Sequence, residues 1–120
     1  MINFITGRIK SVKYALKGAY ILITTEHSIM VQLSCGIAVT TLGFYFNIDK
    51  LEWIAQTLTI GIVLSAEGLN SAVEAICDFI HPAHHEKIGK IKDIAAGAVT
   101  FTAFAALVVF LLIYLPYFTA

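Results

Sequence analysis

Four polar side chains recur at regular intervals in a segment that is otherwise strongly apolar. They are Glu67, Asn70, Glu74 and Asp78. At about 100° per residue, their spacing places all four on one face of a helix, within an arc of about 80°. An acidic side chain at the centre of a bilayer costs about 2.5–3.5 kcal/mol. We therefore expect this acidic face to be turned toward protein or water, where it can hold a cation.

The residue types on this face suit phosphoryl transfer to a lipid. Mg²⁺ prefers oxygen ligands and is usually bound by one or two carboxylates together with substrate phosphates. Lys92, which stands beside Asp93, can contact a phosphate. Glu67 is the deepest acid, and a partly desolvated carboxylate can accept a proton from a lipid hydroxyl. A proton or cation pathway would use similar residues, so this alternative stays open.

Other motifs for catalysis or metal binding are absent or weak. Neither G-x-x-x-x-G-K-[ST] nor the protein-kinase signature set occurs, so a kinase of this sequence belongs to an unrelated type. The loop 81–86 holds three histidines, but their spacing fits no strong zinc pattern. Cys35 and Cys77 both lie in apolar segments, which favours free thiols over a disulfide framework.

The composition indicates a small membrane protein. Of the 120 residues, 58% are hydrophobic and only 13% are charged, which is unusual for a soluble domain of this size. The mean hydropathy is +0.82. We expect a single domain over residues 1–120. The formal net charge is zero, which gives no support to a nucleic-acid partner.

Three apolar stretches predict membrane helices, at about 30–46, 51–80 and 91–118. A spanning helix needs about 20 residues, so the last turns of the long second helix, around Asp78, should emerge into water. Lysines and an arginine precede the first span, and Lys87, Lys90 and Lys92 lie just before or at the start of the third. The positive-inside rule then places the N-terminus and the Asp78 end of the second helix in the cytoplasm. Four aromatic residues fall near the opposite boundary, as an aromatic belt would: Tyr45, Trp53, Tyr114 and Tyr117.

Residues 1–28 are predicted to form an amphipathic helix on the membrane surface. Apolar residues such as Ile9, Val12 and Leu16 recur at helical spacing, while Lys10 and Lys13 fall on another side. Such a helix suits an anionic membrane surface. The fold expected from the sequence is thus all-α, with one surface helix and three transmembrane helices.

The segment E-G-L-N-S-A-V-E-A-I-C-D, residues 67–78, resembles the signature of the prokaryotic diacylglycerol kinase family. The runs K-Y-A-L-K-G (13–18) and K-D-I-A-A-G-A-V (92–99) match as well, so the resemblance covers essentially the whole chain. It implies a small multi-pass kinase of the bacterial inner membrane, usually a homotrimer whose active sites are shared between subunits. Such a kinase transfers the γ-phosphate of ATP, with Mg²⁺, to a lipid hydroxyl.

The resemblance also implies roles for individual residues. Glu67 matches the general base that faces the hydroxyl of the lipid substrate, with Asn70 beside it. Glu26 and Glu74 match the metal ligands. The nucleotide would be contacted by Tyr14, Glu26, Glu74, Asp78, Lys92 and Asp93.

Two features bear on the lipid that this chain would phosphorylate. One branch of the family acts on diacylglycerol and another on undecaprenol. The run 92–99 and the Leu115–Pro116 ending resemble the undecaprenol branch more. The chain departs from many relatives after Glu26, where Ile29, Met30 and Val31 replace an arginine or other polar residue involved in anchoring or headgroup recognition.

Two functions from other classes compete with the kinase. An oligomeric cation or proton channel would line its pore with the acidic face, although residues 54–62 offer only Gln56, Thr57 and Thr59 to continue the pore. An interaction subunit without chemistry would dock this face on a basic partner helix.

Overall fold

The computed structural model describes residues 1–120 and is entirely helical. Its four helices, in chain order, are α1 (Ile2–Thr25), α2 (His27–Phe46), α3 (Lys50–Ile80) and α4 (Glu86–Thr119). The last three are long and apolar enough to cross a membrane. This confirms the prediction of an all-helical protein with three candidate membrane spans.

A single residue separates α1 from α2. Glu26 has an extended backbone (φ −100°, ψ 113°), which breaks the helical hydrogen-bond ladder between Thr25 and His27. The surface helix predicted for 1–28 therefore ends at Thr25, and the helix predicted for 30–46 already begins at His27. No residue of α1 is buried, and the molecule measures 53 × 48 × 22 Å. A 24-residue helix is about 36 Å long, so α1 projects away from the other three helices.

The turn between α2 and α3 is specified by local chemistry. Asn47 ends α2 in the left-handed conformation (φ 53°, ψ 53°), which asparagine tolerates better than most residues. Asp49 then caps α3: its carboxylate accepts a hydrogen bond from the Glu52 backbone N–H at 2.9 Å. The Glu52 carboxylate accepts in return from the Asp49 N–H at 3.0 Å. This reciprocal capping box fixes where α3 begins.

The three long helices pack antiparallel to their chain neighbours. Tyr117 of α4 contacts Glu52 at the start of α3, and Lys92 contacts Asp78 near its end. We call the end formed by the α2–α3 turn and the last turns of α4 the aromatic end. The end formed by the start of α2, the last turns of α3 and the start of α4 is the acidic end.

The aromatic end holds the main cluster of buried side chains. Ile48, Ile113 and Tyr114 form its centre, with Phe46 and Trp53 packed against it. Gly43 lets α2 approach closely, because a Cβ there would lie 2.6 Å from the Trp53 ring. Tyr114 is only 1% exposed, so its side chain faces the other helices. The tyrosine turns inward because its hydroxyl finds hydrogen-bond partners on α2 and α3.

Candidate functional site

The acidic face predicted from the sequence lies on α3, which runs unbroken from Lys50 to Ile80. Burial falls along this face toward the acidic end of the bundle. Glu67 is buried, Asn70 is half-buried, and Glu74 and Asp78 are exposed. The face therefore begins inside the protein at Glu67 and ends at an exposed surface at the acidic end.

Glu67 is the most buried ionisable side chain of this face. It is 8% exposed and lies on the same helical side as Val63 and Ser71, which are buried as well. The single ion pair of the chain joins Lys92 to Asp78, so no cation of the chain neutralises Glu67. Burying a carboxylate without a charged partner is costly. Glu67 is therefore a candidate for contact with a ligand.

A neighbouring amide oxygen also lacks a partner. Asn70 Nδ2 donates a weak hydrogen bond of 3.4 Å to Glu74 Oε1. Asn70 Oδ1 is buried and has no hydrogen-bond partner. Most buried polar atoms in proteins are paired, so this oxygen stands out as a group available to a cation, a water molecule or a substrate hydroxyl.

The oxygens of Asn70 and Glu74 fit the chemistry of Mg²⁺. Carboxylate and amide carbonyl oxygens are hard donors, and Mg²⁺ usually takes only one or two protein carboxylates and completes its shell with water and phosphate. Within one chain, no group of three histidine, cysteine, aspartate or glutamate side chains lies close enough to hold a metal ion. An ion at this position would therefore depend on phosphate oxygens for part of its coordination.

Lys92 and Asp78 connect the two helices at the acidic end. Lys92 Nζ lies 2.5 Å from Asp78 Oδ1, and their side chains are 36% and 62% exposed. Such an exposed pair contributes about 0–1 kcal/mol to stability. An ammonium group has three N–H donors. Asp78 accepts from one of them and holds the Lys92 ammonium group in place, so the others stay available to an anion such as phosphate. The next residue, Asp93, is exposed.

The end of α1 also reaches this region. Gly68, next to Glu67, admits the Leu22 side chain, whose Cδ1 lies 3.0 Å from the position of an added Cβ. Glu26 follows one turn after Leu22 and is half-buried. Gly36 of α2 packs against Ile60 of α3, and Gln56 of α3 donates to the Val39 carbonyl of α2. If this antiparallel pairing is continued toward the start of α2, Glu26 stands at the same height along the bundle as Asn70.

Tyr14 is not brought to the acidic face of its own chain. It is exposed and lies eight residues before Leu22, a separation of about 12 Å along α1. One chain therefore gathers Glu67, Asn70 and Glu74 on α3, pairs Asp78 with Lys92, and places Glu26 at the same level. It leaves Tyr14 apart from them.

Sequence reasoning missed the hydrogen-bonded group at the aromatic end. Tyr114 donates to Gln56 Oε1 at 2.5 Å, and Gln56 Nε2 donates to the Val39 carbonyl at 3.3 Å. From the sequence, Gln56 is predicted only as a possible pore residue. Gln56 lies on the same side of α3 as Glu67, and that side is expected to face protein. This position is the feature from which its burial could have been predicted.

Comparisons with known proteins agree with the resemblance seen in the sequence. A family model described as prokaryotic diacylglycerol kinase matches residues 13–114. An undecaprenol kinase of Bacillus subtilis is 36% identical over 107 residues, covering 89% of this chain and 87% of that protein. A diacylglycerol kinase of Synechocystis is 31% identical over 100 residues, or 82% of this chain and 57% of that protein. A diacylglycerol kinase of Haemophilus influenzae is 30% identical over 95 residues, covering 79% and 80%.

Proposed function

The chain belongs to the prokaryotic diacylglycerol kinase family and is a lipid kinase, and we propose that it transfers the γ-phosphate of ATP to the lipid hydroxyl with Glu67 as general base. The observation that carries this proposal is the burial of Glu67 without a cation of the chain beside it. Burying a carboxylate without a charged partner costs free energy, and a role in the reaction accounts for its presence there. It lies where the apolar interior meets the polar residues of the acidic face.

Glu67 would act on the hydroxyl of the lipid. Its carboxylate accepts the hydroxyl proton while the hydroxyl oxygen attacks the γ-phosphorus and the bond to the leaving ADP oxygen breaks. A positioned general base contributes about 10²–10⁴-fold to a rate. Asn70 would orient the hydroxyl, because its unpartnered Oδ1 lies one turn away on the same face.

Glu26 and Glu74 would hold Mg²⁺, and Asn70 Nδ2 lies 3.4 Å from Glu74 Oε1. The ion would neutralise charge on the phosphates during transfer, which is the main requirement of phosphoryl transfer. The donor set is compatible with this role because its atoms are all hard oxygens.

The nucleotide would bind at the open acidic end. Lys92 would donate to phosphate oxygens while Asp78 keeps its ammonium group in place. Asp93 would contact the nucleotide from the adjacent position. Tyr14, which lies apart from the acidic face of its own chain, would serve the site of a neighbouring subunit in a homotrimer. The basic residues of α1 and of the first turns of α4 would place this end in the cytoplasm, at the inner membrane.

Undecaprenol is the proposed lipid, with diacylglycerol as the alternative. The relative that is 36% identical is named undecaprenol kinase, and relatives named diacylglycerol kinase are 31% and 30% identical. The run 92–99 and the Leu115–Pro116 ending point in the same direction.

The purified protein in mixed micelles with γ-labelled ATP tests the proposal. Undecaprenol and diacylglycerol are offered separately, each with Mg²⁺ and with Mg²⁺ removed by a chelator. We expect Mg²⁺-dependent label in lipid, with more in undecaprenol. Label in neither lipid from a folded oligomer would contradict the proposal, and ion flux through proteoliposomes without nucleotide would then support a channel.

A further inference from the structure

The loop between α3 and α4 carries three histidines that the proposed reaction does not use. His81 ends α3, His85 is the N-cap residue of α4, and His84 lies between them. Imidazole nitrogens suit Zn²⁺, Cu²⁺ and Ni²⁺, whereas Mg²⁺ prefers oxygen ligands. A metal site in this loop would therefore take a different class of ion from the carboxylates of the acidic end.

The rings of His81 and His85 lie next to each other. Their centres are 5.1 Å apart, and their planes are inclined by 69°. Two imidazoles bound to one tetrahedral zinc ion, with Zn–N bonds of about 2.0–2.1 Å, have ring centres about 5 Å apart. The loop therefore already holds the two rings at the separation that a shared metal ion requires.

His81 is oriented as a metal-binding histidine is. Its Nδ1 lies 2.7 Å from the Ala83 carbonyl oxygen. A carbonyl oxygen can only accept, so Nδ1 of the neutral ring carries the proton and Nε2 keeps its lone pair. Histidines that bind metals almost always donate their other ring N–H to a carbonyl, a carboxylate or water, which fixes the tautomer and the direction of the ring. The bond to Ala83 thus leaves Nε2 of His81 as the free ligand atom.

His85 exchanges a hydrogen bond for the metal bond. Its Nδ1 accepts from the Lys87 backbone N–H at 3.1 Å and so caps α4, which places the proton of the neutral ring on Nε2. When Nε2 binds a metal ion, this proton passes through solvent to Nδ1, and the bond from Lys87 is lost. The ring keeps its one proton, and metal binding competes with the capping of α4.

The rest of the coordination shell is open to solvent. Within one chain, no third histidine, cysteine, aspartate or glutamate side chain lies close enough to complete the site, and residues 82–86 are all exposed. Structural zinc sites use four protein ligands and exclude water. An ion on two histidines would complete its tetrahedron with water, so it would exchange with the solution and would not be needed for folding.

We propose that His81 and His85 bind one transition-metal ion of the zinc class through their Nε2 atoms, with water in the remaining positions. Along the chain, His81 follows Asp78 by three residues and His85 precedes Lys92 by seven. The ion would therefore join the end of α3 to the start of α4, next to the ion pair of Asp78 and Lys92. The site is independent of the proposed reaction, because none of its ligands takes part in phosphoryl transfer.

Calorimetric titration of Zn²⁺ into the full-length protein in micelles tests the proposal. The protein carries no polyhistidine tag, and excess Mg²⁺ is present to occupy the oxygen ligands of the acidic end. We expect saturable binding of a single Zn²⁺ per chain. Loss of a single outer partner of a metal ligand weakens binding by about 10–100-fold, so His81→Ala and His85→Asn should each weaken it at least about tenfold. Asparagine is a good N-cap residue, so His85→Asn removes the metal ligand and keeps α4 capped.

The two remaining histidines provide matched controls. His27 and His84 are exposed and lie outside the pair, so His27→Ala and His84→Ala should bind Zn²⁺ as the wild type does. Wild-type protein that shows no saturable binding of Zn²⁺ would overturn the proposal. Equal weakening in His84→Ala and His81→Ala would overturn the assignment of the pair. The titration needs neither ATP nor lipid, so its failure is distinguishable from a failure of the proposed kinase reaction.

Discussion

The two ends of the helical bundle use polar side chains in opposite ways. At the aromatic end, Tyr114, Gln56 and Val39 share hydrogen bonds across three helices, and Tyr117 donates to Glu52 at 2.7 Å. At the acidic end, the Asn70 oxygen has no partner and Glu67 is buried without a neighbouring cation. Matched polar groups stabilise a fold, whereas buried polar groups without partners indicate a place where something else binds.

The difference extends to packing. The buried cluster of Ile48, Ile113 and Tyr114 lies at the aromatic end, where Gly43 brings α2 against Trp53. The acidic end is joined mainly by the exposed pair of Lys92 and Asp78. The aromatic end therefore contributes more of the packing that holds the helices together than the acidic end does. Substitutions at the two ends should therefore affect different measurements.

Apart from replacement of the proposed general base, the largest effect on activity is expected at the proposed metal ligand. Glu74→Gln removes a carboxylate charge from the acidic end, and we expect transfer of label to lipid to fall by about 10²-fold or more. Stability should hardly change, because Glu74 is exposed and its one hydrogen bond is 3.4 Å long. Glu86→Gln, at the exposed start of α4, is the control. Equal rates in the two variants would remove Glu74 from the site.

A smaller loss is expected when the proposed phosphate contact is removed. Hydrogen bonds to charged groups contribute about 1.5–3 kcal/mol, so Lys92→Met should lower kcat/KM for ATP by about 10–10²-fold. Asp78→Asn keeps the ammonium group and loses only its exposed partner, so it should have the weaker effect. If Asp78→Asn lowered kcat/KM as much as Lys92→Met, the ion pair itself would be the important feature.

At the aromatic end, crowding a close helix contact should affect stability and spare catalysis. A Cβ on Gly43 would lie 2.6 Å from Trp53 Cη2, and overpacking of this kind costs about 1–3 kcal/mol. Gly43→Ala should lower the thermal midpoint while the kinase rate at low temperature is retained. Gly61→Ala is matched to it, since nothing lies within 4 Å of its added Cβ, and should not lower the midpoint.

The smallest effect is expected when the hydroxyl group of Tyr114 is removed. Tyr114→Phe leaves Gln56 Oε1 without its donor, and hydrogen bonds between membrane helices contribute about 0.6 kcal/mol on average, with a maximum near 1.7. The thermal midpoint should fall slightly, and the rate should not. Tyr45→Phe, at an exposed tyrosine of the same end, should change neither. A lower kinase rate in Tyr114→Phe but not in Tyr45→Phe would show that the hydrogen bonds of the aromatic end affect catalysis at the acidic end.

The acidic face could be predicted from the sequence because helical periodicity is a local property. The positions of Glu67, Asn70, Glu74 and Asp78 follow from their spacing alone, and the three candidate membrane helices follow from hydropathy. The inward turn of Tyr114 could not be predicted, because a tyrosine near a span end fits a lipid-facing belt and a buried network equally well. Only the partners on α2 and α3 decide between them.

The way in which α1 contributes to the site also could not be predicted from the sequence. The pattern gave a helix over 1–28, but the break at Glu26 depends on how α1 leaves the bundle, and the seat of Leu22 on Gly68 depends on tertiary packing. The role of Tyr14 stays a prediction, because one chain does not bring it to the acidic face.

The most direct test of the account measures the kinase rate and the thermal midpoint of Glu67→Gln beside the wild type, in the same micelles. A general base contributes about 10²–10⁴-fold, so the rate should fall by that factor. The midpoint should stay equal or rise, since the substitution removes a buried charge that no cation of the chain neutralises. A variant that keeps its rate, or loses it only together with the fold, would contradict the assignment of the acidic end as the catalytic one.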